Sequence, residues 1–173
     1  MYEYADILEL YLIPVMESSS KHQFTTKEKL VGIATSLIHV LTFLNIIANS
    51  FKRNLQFDEN DIVKVRNNIE YSSATLARLN NPSAPINKIV EYKKSDEFAD
   101  AANSCIENLS SFLNDPLTKT KLTNVTNVAK AVDNKIKTEH GMSNDMKKIS
   151  KDFISVTNRL NRTCEKISEI ING

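Results

Sequence analysis

The last thirty residues constrain the fold most. Met146, Ile149, Phe153, Val156, Leu160, Cys164, Ile167 and Ile171 follow one another at steps of three or four residues. A strand presents alternate residues to one face, whereas a helix presents every third or fourth. The spacing therefore predicts a helix from its cap at Ser143 to the last residues. A sustained 3.5-residue repeat also predicts left-handed, near-parallel packing on neighbouring helices, as in coiled coils and most four-helix bundles.

The rest of the chain reads the same way. A first helix over Tyr2–Glu17 carries Tyr4, Ile7, Leu8, Tyr11, Leu12 and Val15 on one face, with Pro14 near its end and a loop over Ser18–Gln23. Thr25 and Glu28 have capping-box spacing and open a second helix that runs to about Phe51. Asp58 caps a third, with the stripe Ile62, Val65, Ile69, Leu76 and Leu79, ended by Asn80, Asn81 and Pro82. A fourth spans Ile86–Leu113, with a break marked near Ser95. Asp115 caps the fifth with Pro116 in its first position, and His140 with Gly141 closes it as a C-cap. With 3 glycines and 4 prolines in 173 residues, the many turns of a sheet fold have no supply. The expectation is one all-α domain over residues 1–173: an up-and-down bundle of five or six amphipathic helices with 3.5-period packing. The chain reads equally as a complete small protein or as the N-terminal part of a longer one.

Leu30–Phe51 contains no charged residue. On length and hydropathy it is a membrane-span candidate, flanked by Lys27 and Lys29 before it and Lys52 and Arg53 after it. Thr35, His39, Thr42, Asn45 and Asn49 make a polar, uncharged stripe along it. Unpaired polar groups cost several kcal/mol in hydrocarbon. That stripe, the symmetric basic flanks and the absence of any second segment as apolar point instead to a central helix buried in protein. The alternative is a helix that leaves a soluble fold and enters a membrane.

Function classes narrow mainly by exclusion. A net charge of +1 provides no field for nucleic acid. Lys119–Lys151 holds eight lysines against Asp133, Glu139 and Asp145, but no arginine and no aromatic residue, which bidentate base readout and base stacking need. Within it, Lys130, Lys137, Lys147, Lys148 and Lys151 form a candidate basic face for an acidic partner or an anionic lipid surface. His22, His39 and His140 are scattered, without metal-ligand spacing. No nucleophile elbow or phosphate loop is present. Cys105 and Cys164 fall on apolar stripes and read as small core residues. No enzyme activity, cofactor, metal or small-molecule substrate is expected. The acidic N-terminus lacks the basic start of a signal peptide, which points to the cytoplasm, with peripheral membrane association as an option. The leading expectation is a non-enzymatic interaction module that binds a partner protein or self-associates, with the last helix as contact element. The second is a membrane-acting, pore-forming or membrane-disrupting bundle that uses Leu30–Phe51.

Overall fold

The structure is a computed structural model, and it describes residues 26–53, 57–81, 89 and 99–172. These residues form five helices and no strand: α1 (Thr26–Arg53), α2 (Glu59–Leu79), α3 (Ala99–Asn114), α4 (Pro116–Thr138) and α5 (Asn144–Asn172). The first expected helix, Thr25 and the Pro82–Pro85 loop lie outside the described residues. So does most of Ile86–Glu97, of which Ile89 is helical and buried.

Local chemistry explains the starts. The Asp58 carboxylate accepts from the Asp61 backbone N–H at 2.8 Å, and the Asp115 carboxylate from that of Leu117 at 2.8 Å. Ser143 Oγ accepts from the Met146 N–H at 3.2 Å. Each cap satisfies an amide that has no carbonyl partner in the first turn. α2 stops at Asn80, whose backbone N–H and side-chain amide both donate to Leu76 O. The end of α4 differs from expectation. Glu139, not Gly141, is the C-cap, with extended backbone (φ −90°, ψ 129°). Gly141 does not take the left-handed conformation that favours glycine. The Glu139 N–H bonds to Lys135 O, and the chain then leaves the helix extended towards Ser143.

α1, α2, α5 and α4 pack in a ring, α1 on α2, α2 on α5, α5 on α4 and α4 on α1, while α3 packs chiefly on α1. Cross-contacts give the directions. Cys105 in α3 donates to Leu30 O, and further along both helices Asn108, Ser111 and Phe112 border one cleft with Ala34, Thr35, Ile38 and Leu41. Further still, Asn124 in α4 meets Asn45, Asn49 and Lys52. Residue numbers rise together, so α3 and then α4 travel the same way as α1. The junction at Asp115 bends one rod and does not reverse the chain. Pro116 forces the bend, because its ring has no N–H to donate and would clash with the carbonyl four residues earlier. α2 and α5 also run alike: Arg66 pairs with Asp145, Ser73 with Arg159 and Asn80 with Thr163.

The core is mostly apolar, with buried Ser, Thr and Asn side chains such as Ser36, Asn68, Ser72 and Thr157 set into it. α1 has Leu30, Ile33, Leu37, Val40, Phe43, Leu44, Ile47 and Ala48 at 0–1% exposure, which explains its lack of charge: neighbours cover most of its circumference. In α5 the expected stripe from Met146 to Ile167 is buried, and Ile171 is half-buried. That stripe is therefore committed within the fold and does not present a free face.

Candidate functional site

The polar stripe of α1 divides into two parts. Thr42 Oγ1 donates to Ile38 O at 2.8 Å, and His39 Nδ1 lies 2.9 Å from Thr35 O. A carbonyl only accepts, so this ring nitrogen carries the proton. These groups are satisfied along their own helix. Asn45 and Asn49 instead reach across to α4. Asn124 Nδ2 donates to Asn45 Oδ1 at 2.8 Å and to Asn49 Oδ1 at 3.1 Å, while Lys52 Nζ donates to Asn124 Oδ1 at 3.0 Å. Both donor hydrogens of the Asn124 amide, and its oxygen, are thus engaged. The stripe's C-terminal half is a hydrogen-bonded joint between α1 and α4.

The basic face falls on two helices. Lys130 and Lys137 lie on α4, and Lys147, Lys148 and Lys151 on α5. Lys137 pairs with Asp133 at 3.0 Å, Lys148 with Asp152 at 3.3 Å, and Lys135 with Glu139 at 3.6 Å. All are exposed i,i+4 pairs, worth about 0.3–0.5 kcal/mol each. They partly neutralise the face. Lys130 and Lys151 are exposed and have no ionic partner among the described residues.

A different feature gathers two of the three large hydrophobes exposed among the described residues, the third being Val63 on α2. Beside the α3–α4 junction, between that rod and α1, lies a cleft of about 450 Å³. Ala34, Ile38, Leu41, Phe112 and Leu117 supply its apolar wall, and Thr35, Asn108, Ser111 and Thr118 its polar groups. Asp115 and Lys121 add one charge of each sign. Ile38 is 47% exposed and Leu117 63% exposed, although most other large hydrophobic side chains described in α1 are at or near zero. Of the residues on the polar stripe, Thr35 alone borders this cleft.

The stripes of the sequence did not mark this place. α1 is apolar almost all round, so nothing distinguishes Ile38 from its buried neighbours. In α4 the local signal exists but is small: Thr118 occupies the buried phase of the Val125, Val128 and Val132 stripe, which turns Leu117 outward. The thiols are placed as their stripes imply. Cys105 is 0% and Cys164 8% exposed, both are free, and burial pushes each thiol up to about 12. A thiol held protonated in this way is a poor nucleophile. Comparison with known proteins finds no matching family model, no matching curated sequence and no matching solved structure.

Proposed function

We propose that this chain is a non-enzymatic interaction module, an up-and-down helical bundle with coiled-coil-like packing that receives an apolar side chain of a partner protein in the cleft at the α3–α4 bend. The observation that carries this reading is the pairing of Ile38 and Leu117, two large exposed hydrophobes, on one concave surface. Interface hot spots are apolar anchors that enter such pockets, ringed by polar groups that exclude water. Thr35, Asn108, Ser111 and Thr118 are placed to form that ring.

A photo-reactive residue at Leu117, activated in cells that make the protein, tests this. A discrete adduct with another protein or a second copy is expected, and Ile38→Lys should abolish it while circular dichroism stays helical. Ile38 is exposed enough to accept lysine without a core penalty. No adduct, or one indifferent to Ile38→Lys, removes the cleft from consideration.

One observation favours a second reading, a membrane-acting bundle. Gly32–Arg53 has a mean hydropathy of 1.5 over a span long enough to cross a bilayer. Against it, 61% of that window is buried in protein, and Asn45 and Asn49 are tied to Asn124. Co-flotation with neutral and anionic liposomes, with dye release in the same tubes, decides. Flotation with leakage puts α1 first as effector; a folded protein left at the bottom makes it core.

A further inference from the structure

α1 meets solvent along a strip unlike the outer face of any other described helix. Between Leu30 and Phe51, the side chains outside the core include Thr35, Ile38, His39, Thr42, Ile46 and Asn49. Their spacing keeps them on one side of the helix. None is Asp, Glu, Lys or Arg. The other helices all expose charge: Glu70 in α2, Glu107 in α3, Lys130 in α4 and Lys151 in α5. Charged side chains are the ordinary occupants of a helix's wet face. The strip's hydrogen bonds are also closed. Thr42 Oγ1 donates to Ile38 O at 2.8 Å and Ser50 Oγ to Ile46 O at 3.1 Å, while His39 Nδ1 lies 2.9 Å from Thr35 O. A surface with no ion to desolvate, and with its hydroxyl protons already bonded, is covered at little cost.

The segment that fits this strip is the chain's own start. Residues 1–25 lead directly into α1 at Thr26. Tyr4, Ile7, Leu8, Tyr11, Leu12 and Val15 share one face of a helix over Tyr2–Glu17. A helix of that length is marginal in water unless its apolar face is buried. Glu3, Asp6, Glu9 and Glu17 fall outside the stripe, so docking it buries no carboxylate. At 1.5 Å per residue the segment is about 24 Å long, and Thr35 to Asn49 spans about 21 Å. A loop as short as Ser18–Gln23 returns a chain antiparallel to its neighbour. It also holds the segment near α1 at an effective concentration of roughly millimolar order, which a second copy in micromolar solution does not match.

We infer that residues 2–17 dock as a helix, antiparallel to α1, on its uncharged strip, with the Ile7–Tyr11 turn at the level of Ile38. The strip is then an interface within the chain, which explains why it carries no charge. Ile38 also borders the cleft beside the α3–α4 junction, so the docked segment competes with any partner side chain that reaches Ile38. The inference does not rest on that partner. It needs this chain alone, and its test uses the isolated protein.

A photo-crosslinking amino acid at Thr42, in the purified full chain at micromolar concentration, tests it. Irradiation is expected to give a monomeric product whose peptide map joins α1 to residues 4–15. Leu8→Glu with Tyr11→Glu places two carboxylates on the docking stripe and should cut that product at least tenfold. The same photo-reactive residue at Lys130, on the exposed face of α4, should give no such product. Placing it at Thr35 provides a second reading if the Thr42 position distorts α1. A product that maps to residues 82–98, a crosslinked dimer, or an internal product indifferent to the two glutamates would overturn the inference. So would the absence of any product from both positions.

Discussion

Phe153→Ala is expected to lower the unfolding free energy by about 3–5 kcal/mol, the range for truncating a fully buried aromatic ring. Phe153 is 0% exposed, on the face of α5 that reaches α1. Its ring centroid lies 5.1 Å from that of Phe51 at 42°, and Phe51 lies 5.2 Å from Phe57 at 52°. These tilted arrangements suit the ring quadrupoles and add about 0.5–1.5 kcal/mol per pair beyond burial. Truncation removes one such pair and leaves a hole between three elements that cannot collapse onto it together. Urea unfolding should show the midpoint falling with little change in slope, and the thermal midpoint falling by roughly 10 °C. Phe153→Leu keeps most of the volume and should cost under about 1.5 kcal/mol. A loss under 1 kcal/mol for the alanine variant would mean that the aromatic cluster does not bind α5 to α1.

The same cluster shows which parts of the architecture are legible in the sequence. Phe153 sits on the 3–4 stripe of the last helix, and its burial follows from periodicity. The caps at Asp58, Asp115 and Ser143 are equally local, since each needs only a side-chain oxygen two or three residues before an unpaired amide. Long-range direction is different. Pro116 in the first helical position fits a chain reversal and a bent rod equally well, and only the meeting of Asn124 with Asn45 and Asn49 separates the two. The cleft lies beside that bend, so no stripe announces it. The buried hydroxyls were hidden for another reason. Ser72, Thr75, Ser150 and Thr157 look like surface residues on any hydropathy scale, yet they are interior. The last helix, read from its regular stripe as a contact element, directs that stripe inward because a stripe of that width is the core of this fold.

Alkaline conditions should weaken the fold through its two cysteines, by about 3 kcal/mol between pH 8 and pH 10. Burial pushes the thiols of Cys105 and Cys164 from an ordinary value of 9.0 to about 12, with the Glu165 carboxylate adding to the effect at Cys164. Cys105 Sγ also donates to Leu30 O at 3.2 Å, a bond that the thiolate cannot make. The folded chain therefore keeps both protons at pH 10, while the unfolded chain loses them. Ionisation in the unfolded state alone favours unfolding by RT ln 11, about 1.4 kcal/mol for each thiol at one pH unit above its unfolded pKa. The contribution is complete below pH 9 and is lost progressively as the pH rises towards 12. Lysines and tyrosines also titrate in this range, so the measurement is a difference. The Cys105→Ala, Cys164→Ala double variant starts from lower stability, but its drop between pH 8 and pH 10 should be smaller than that of the parent by about 3 kcal/mol in matched urea titrations. Equal drops would show that the thiols ionise in the folded state, hence that water reaches them. Thiol titration at pH 8 supplies the independent check: both groups should resist an aromatic disulfide reagent in the native protein and react at once in denaturant.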